Sequence, residues 1–117
     1  MEYEQVTIKK FLDGDYYSKY VEVKGVVKDT EINWERTHCR GVSGKSCIGS
    51  LLQDEQENSI KVLMFPERPE SALGAFKNSE LGVEAVVKGF GSKSPGELIA
   101  HYVMVGDREE ESVKYKY

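Results

Sequence analysis

The chain has 117 residues, of which 39% are hydrophobic and 31% are charged, so its composition is that of a single globular domain rather than a disordered chain. Twenty acidic and sixteen basic residues give a net charge of -4, which excludes a protein that coats nucleic acid through overall charge alone. The sequence has neither an apolar run near the ~20 residues that cross a bilayer nor the pattern of a secretion signal, so we expect a cytoplasmic protein without a membrane partner.

The first predicted elements are a short helix and a strand. A helix is predicted at residues 7–12, because Thr7 can cap its first turn and apolar residues recur at spacings of three and four. A half-buried strand follows at residues 20–28, where valines alternate with charged residues, and Gly25 within it indicates a bulge or a strong bend. Three tyrosines that lead into this strand are interpreted as packing residues: Tyr16, Tyr17 and Tyr20.

The middle of the chain predicts a hairpin and a second helix. Strands at residues 46–53 and 59–65 flank a tight polar turn, as in a β-hairpin. Alanines, leucines and a phenylalanine between residues 66 and 81 then indicate a short helix, and Gly82 is typical of a helix end.

The last predicted elements complete a barrel. Alternating residues predict a strand at residues 83–90, and ELIAHYVMV at residues 97–105 is predicted as the fifth strand. Residues 107–117 are expected to form a charged, frayed tail outside a single domain of residues 1–106. Alternation in the tail is also compatible with an edge strand through Val113, Tyr115 and Tyr117. Five strands with one helix between the third and the fourth predict an all-β, five-stranded Greek-key barrel, closed or partly open, in which closure removes exposed strand edges.

Three stretches share the strand patterns of a known family: VEVKGVV at residues 21–27, SLLQD with SIKVLMF within residues 50–65, and LGVEAVVKGF with ELIAHYVMV within residues 81–105. In these stretches the chain resembles oligonucleotide/oligosaccharide-binding (OB) fold domains of the tRNA-anticodon-binding and single-strand-binding types. The resemblance implies a ligand face on the second and third strands. Two loops would flank that face, one joining the first and second strands and one joining the fourth and fifth.

The resemblance gives a set of candidate ligand contacts. If Ile60, Val62 and Met64 point into the barrel, the residues between them point outward. Aromatic rings stack on unpaired bases and basic side chains follow the phosphates, so the chain is predicted to bind single-stranded DNA or RNA, as a monomer or a dimer. The candidate binding residues are Trp34, Arg36, Arg40, Lys45, Lys61, Phe65, Phe90 and Lys93.

Other interpretations of these residues and of the whole chain stay open. Trp34 can be a lid over the barrel end, Phe65 and Phe90 can be packing residues, and the basic residues of the first loop can belong to an ordinary solvated loop. The alternative function is that of an OB-type protein-interaction adaptor, or a subunit of a larger nucleic-acid-associated complex, which the acidic surface and tail favour. A small-ligand or oligosaccharide-binding barrel has no specific support in the sequence.

The sequence contains no recognisable catalytic constellation, so neither an enzyme activity nor a cofactor is predicted. His38, Cys39 and Cys47 supply three potential metal ligands where zinc normally takes four, and ordinary reduced thiols are the favoured interpretation. GVSGKS at residues 41–46 ends like a phosphate-binding P-loop, but Cys39 stands where that motif needs glycine and a strand follows instead of a helix. His101 on the last predicted strand is interpreted as a structural histidine.

Overall fold

A closed five-stranded barrel is the centre of the molecule. The computed structural model describes residues 2–32, 48–65, 84–106 and 108–111; for residues 29–32 and 108–111 it describes the backbone only. The elements within these ranges are β1 (Glu4–Gln5), α1 (Ile8–Asp13), β2 (Tyr20–Ile32), β3 (Ile48–Gln53), β4 (Ser59–Met64), β5 (Glu84–Gly91), β6 (Glu97–Val105) and β7 (Arg108–Glu111).

The strand order confirms the predicted barrel. Within the described ranges the strands pair in the order β1-β2-β3-β4-β6-β5, and β2 also pairs with β5, which closes the sheet. The all-β class and the five-stranded barrel predicted from the sequence are therefore confirmed. The helix predicted at residues 66–81 lies outside the described residues. Among the residues that are described, no helix is long and apolar enough to cross a membrane.

Strand β2 is longer than predicted because it belongs to both sides of the barrel. Its first half pairs antiparallel with β5 from Tyr20 to Val26, and its second half pairs with β3 from Val26 to Ile32. The register shift lies at Lys28, between Val27 and Asp29, and not at Gly25. Gly25 instead allows a close approach between backbones, since a Cβ there would lie 2.8 Å from the carbonyl oxygen of Gln53.

Helix α1 forms one turn and a half at the position predicted from its cap. The hydroxyl of Thr7 accepts a hydrogen bond of 3.0 Å from the backbone N–H of Lys10, which satisfies one of the unpaired donors of the first turn. Ile8 and Phe11 are buried in the barrel core. The helix packs against β2 and β4, so its apolar side covers the core that the inward-facing strand residues form.

The β3–β4 hairpin turns around one carboxylate. Asp54 accepts hydrogen bonds of 2.9 Å from the backbone N–H groups of Gln56 and Asn58, and one of 3.0 Å from the side-chain amide of Asn58. The bond from the Asn58 side chain, helped by the two backbone donors, lowers the pKa of Asp54 below its ordinary value of 3.8. The turn is therefore more stable with Asp54 ionised.

This turn predicts a pH effect that an Asp54→Asn substitution removes. Because the folded state lowers the pKa of Asp54, its contribution is present above the unfolded-state pKa and is lost as the pH falls through the folded-state pKa. We expect the difference between the urea midpoints of the wild type and Asp54→Asn to be largest at neutral pH and to shrink at pH values below 3.8. Midpoint curves that stay parallel throughout this range would contradict the assignment.

The segment predicted as a frayed tail begins with a strand. Arg108–Glu111 pairs antiparallel with β6, with Val105 opposite Arg108 and Tyr102 opposite Glu111. Gly106 makes the connection possible, because its φ of 64° lies in the left-handed region that tight hairpin turns require. The sheet therefore includes residues beyond residue 106. Val113, Tyr115 and Tyr117, for which an edge strand was considered, lie outside the described residues.

Candidate nucleic-acid interface

The two faces of β4 are occupied as predicted. Ile60, Val62 and Met64 are buried in the barrel core. Lys61 lies between them on the outer face and is half-buried. The period of two along this strand was enough to separate the core residues from the outward ones.

Two of the predicted stacking residues pack against other side chains. Phe65 is only 3% exposed and forms an outer apolar cluster with Leu63 and Ile99, against which the half-buried Phe90 packs. The cause is the parallel pairing of β4 with β6, which places Ile99 opposite Leu63. In the described structure Phe65 is thus a packing residue, one of the interpretations that the sequence left open.

Two of the three predicted lysines, Lys61 and Lys93, lie in the described residues, on a strand and on a loop that are hydrogen-bonded to each other. The backbone N–H of Lys61 donates a hydrogen bond of 2.8 Å to the carbonyl of Gly96, at the end of this loop. Lys93 is exposed within the same loop. This hydrogen bond therefore links β4 to the loop that the resemblance assigned to ligand binding.

The remaining predicted contacts lie outside the described residues: Trp34, Arg36, Arg40 and Lys45. The potential metal ligands His38, Cys39 and Cys47 lie there as well. Among the residues that the structure does describe, no group of three or more histidine, cysteine, aspartate or glutamate side chains is placed to hold a metal ion.

A cluster of rings on the outside of β2, β5 and β6 was not predicted. The ring of His101 lies 5.2 Å from that of Phe90 and 5.6 Å from that of Tyr20, and the Tyr20 ring lies 5.8 Å from that of Tyr3. The Tyr3 hydroxyl and His101 Nδ1 share a hydrogen bond of 2.9 Å. Burial of the Tyr3 hydroxyl raises its pKa above the ordinary value, and electrostatic interactions with Tyr102 and Tyr20 raise it further. Sequence alone could not reveal this cluster, since it depends on Tyr20 pairing with Phe90 across two strands.

The residues before β2 are fastened to the end of β5. The N–H of Ser18 donates to the carbonyl of Gly91 at 2.9 Å, and the N–H of Gly91 donates to the carbonyl of Lys19 at 3.2 Å. Of the three tyrosines predicted to pack, Tyr16 does so, stacked on Phe11 with ring centroids 5.6 Å apart. Tyr20 also packs, against the rings of Phe90 and His101, but stays 39% exposed, and Tyr17 is 49% exposed.

Comparisons with known proteins bear on the fold. No protein-family model and no curated protein matches the sequence. A chain in the crystal structure of yeast Stn1 and Ten1 superposes with a TM-score of 0.57 at 12% identity, over 89% of this chain and 63% of that chain. This chain has an OB fold. The strand order, in which β2 pairs with β5 and closes the barrel, and the similarity to a solved structure both support this fold. The chain spans less than two thirds of the length of that similar chain.

Proposed function

We propose that this OB-fold domain binds single-stranded nucleic acid through the outer face of β3 and β4 and the loops beside it. The observation that carries the proposal is the 2.8 Å hydrogen bond from Lys61 to Gly96, since it sets the loop that contains Lys93 against the strand that contains Lys61. Lys61 on β4 and Lys93 on the adjoining loop, both on the side that OB domains use for ligands, would then contact phosphates of one strand. The proposal assigns the domain no catalytic step, and we place the protein in the cytoplasm.

The loop between β2 and β3 would add the remaining positive charge. Residues 36–45 contain Arg36, Arg40 and Lys45 and no acidic residue, so this stretch is basic within an acidic chain. Trp34 adjoins it and would supply a ring for one base. Because Phe65 is buried, phosphate contacts rather than stacking would dominate on this face, and binding should depend steeply on salt.

Fluorescence anisotropy with labelled single-stranded DNA and RNA 20-mers at about 50 and 200 mM salt tests the proposal. We expect saturable binding that weakens as the salt concentration rises. The substitutions Lys61→Gln and Lys93→Gln should each reduce the slope of log affinity against log salt by about 0.7, the value for one phosphate contact on a single strand. Lys24→Gln, an equal loss of charge at an exposed position of β2, is the control and should leave the slope unchanged. Slopes that fall equally in all three variants would refute the assignment of this face.

A second candidate is an OB-type subunit that acts by binding another protein. The burial of Phe65 favours it, because the described part of the face then lacks the exposed stacking ring that the sequence had indicated. The similar chain also comes from a structure that contains two proteins, yeast Stn1 and Ten1. No anisotropy change at 50 mM salt, where the electrostatic attraction is strongest, would favour this candidate over the first.

A further inference from the structure

We infer that a second contact surface for the same single strand lies beside the β5–β6 loop, formed by Tyr17, Lys19, Tyr20 and Lys93 and called here the tyrosine surface. The inference rests on the proposed function and adds to it the site where bases would stack. The family resemblance implies the outer face of β3 and β4 and the loops beside it, Lys93 included, whereas the sequence alone indicated only packing for the two tyrosines.

Exposure distinguishes these two rings from other rings of the described structure. Tyr17 is 49% exposed and Tyr20 is 39% exposed, whereas Phe11 and Phe65 are buried. A ring face open to solvent can stack on a base of any sequence, because every base has a π-face. The exposed tyrosines are therefore better placed than the buried Phe65 to stack on the bases of a bound strand.

The backbone that carries both tyrosines, and the ring of Tyr20, are held in place before any ligand arrives. The two hydrogen bonds with Gly91 fix the backbone of residues 18 and 19 against β5. The backbone of Tyr17 also forms an isolated parallel β-bridge with Gly91. The approach is so close that a Cβ on Gly91 would lie 2.1 Å from the carbonyl oxygen of Tyr16. The Tyr20 ring rests against that of Phe90, with centroids 6.4 Å apart. Rings ordered in advance lose less entropy when a base stacks on them.

The charges around the rings suit a phosphate backbone. Lys19 lies between the two tyrosines in sequence, and Lys93 is exposed on the loop that follows Gly91. Two nearby carboxylates have partners already: Asp15 accepts the backbone N–H of Tyr17 at 3.2 Å, and Glu22 lies 3.8 Å from the ammonium of Lys88. Lys19, whose ammonium lies 5.9 Å from the centroid of the Tyr16 ring, and Lys93 are therefore the cations that the tyrosine surface offers to phosphates, with the carboxylate of Asp15 beside them.

The β5–β6 loop connects the tyrosine surface with the β4 face. Its start, at Gly91, is bonded to Lys19, and its end, at Gly96, is bonded to Lys61. Tyr17 and Lys93 also line the same cavity of about 240 Å³. A single strand that crosses Lys93 can thus contact both surfaces, which makes this lysine the point they share.

The test compares Tyr17→Ala/Tyr20→Ala with Tyr17→Phe/Tyr20→Phe in the same anisotropy assay. Loss of stacked rings should weaken binding of the 20-mers by about tenfold or more, while the phenylalanine variant keeps the rings and should bind within about twofold of the wild type. Leu12→Ala removes a comparably exposed apolar side chain, 40% exposed and beside Gly96 at the end of the loop, and should weaken binding far less than the loss of the two rings. Thermal unfolding of each variant shows whether the fold is retained, and the phenylalanine variant gives the matched comparison if the alanine variant is destabilised.

The outcomes separate this inference from the proposed function. Wild-type binding that the alanine variant retains would overturn the inference and leave the proposed function standing. No wild-type binding at about 50 mM salt would overturn both. Unchanged nucleic-acid affinity together with a smaller assembly in light scattering would mean that the tyrosines contact a second protein chain, and would also overturn the inference.

Discussion

We expect the Gly89→Ala substitution to destabilise the barrel by about 3 kcal/mol, at the upper end of the usual effect of overpacking a core. Gly89 lies on β5 opposite Val21 of β2 and Ala100 of β6, where the β5–β6 register shifts. A Cβ at this position would lie 2.0 Å from the carbonyl oxygen of Ile99 and 2.9 Å from the Cα of Ala100. Both atoms belong to the backbone, so no side-chain rotation can relieve the clash and the strands must separate.

Urea unfolding followed by circular dichroism measures this effect, with Val86→Ala as the control. Val86 is on the same strand but is half-buried on its outer side, so its truncation should cost about 1 kcal/mol or less. A Gly89→Ala midpoint equal to that of the wild type would mean that β5 and β6 do not approach each other this closely. A shift of the same size in both variants would mean that the strand is sensitive to any change.

The largest expected effect on binding comes from reversing the charge of the β2–β3 loop. The variant Arg36→Glu/Arg40→Glu/Lys45→Glu replaces three cations by three anions in the stretch of residues 36–45 that has no acidic residue of its own. Under the proposed function it removes three phosphate contacts and adds repulsion. We therefore expect the affinity for single-stranded 20-mers to fall by about 100-fold or more at low salt. We expect the melting temperature to stay that of the wild type, because charged side chains on protein surfaces generally contribute little to stability.

The matched control reverses three other cations. Lys9 and Lys10 are exposed on α1 and Lys24 is exposed on β2, so Lys9→Glu/Lys10→Glu/Lys24→Glu makes the same change in net charge elsewhere. It should weaken binding far less than the loop variant does. Equal losses in the two variants would show that only the overall charge of the protein matters, and unchanged binding in the loop variant would exclude the loop as part of the site.

The local elements of this protein were determined by its sequence. The strand predicted at residues 97–105 corresponds to Glu97–Val105, and the polar turn predicted after residue 53 closes around Asp54. Thr7 marked the start of α1. These signals can be read from the chain because a helix cap, a tight turn and an alternation of period two each involve residues within a few positions of one another.

Only the tertiary structure decided which outward-facing residues remain accessible. Phe65 faces outward as its strand predicted, yet it is buried because β6 brings Ile99 beside the same face. Tyr20, which looked like a packing residue, stays 39% exposed in contact with Phe90 and His101. In both cases the outcome depends on pairing between strands that are distant in sequence. Alternation specifies the side of a strand on which a residue lies, whereas long-range register determines what covers that side.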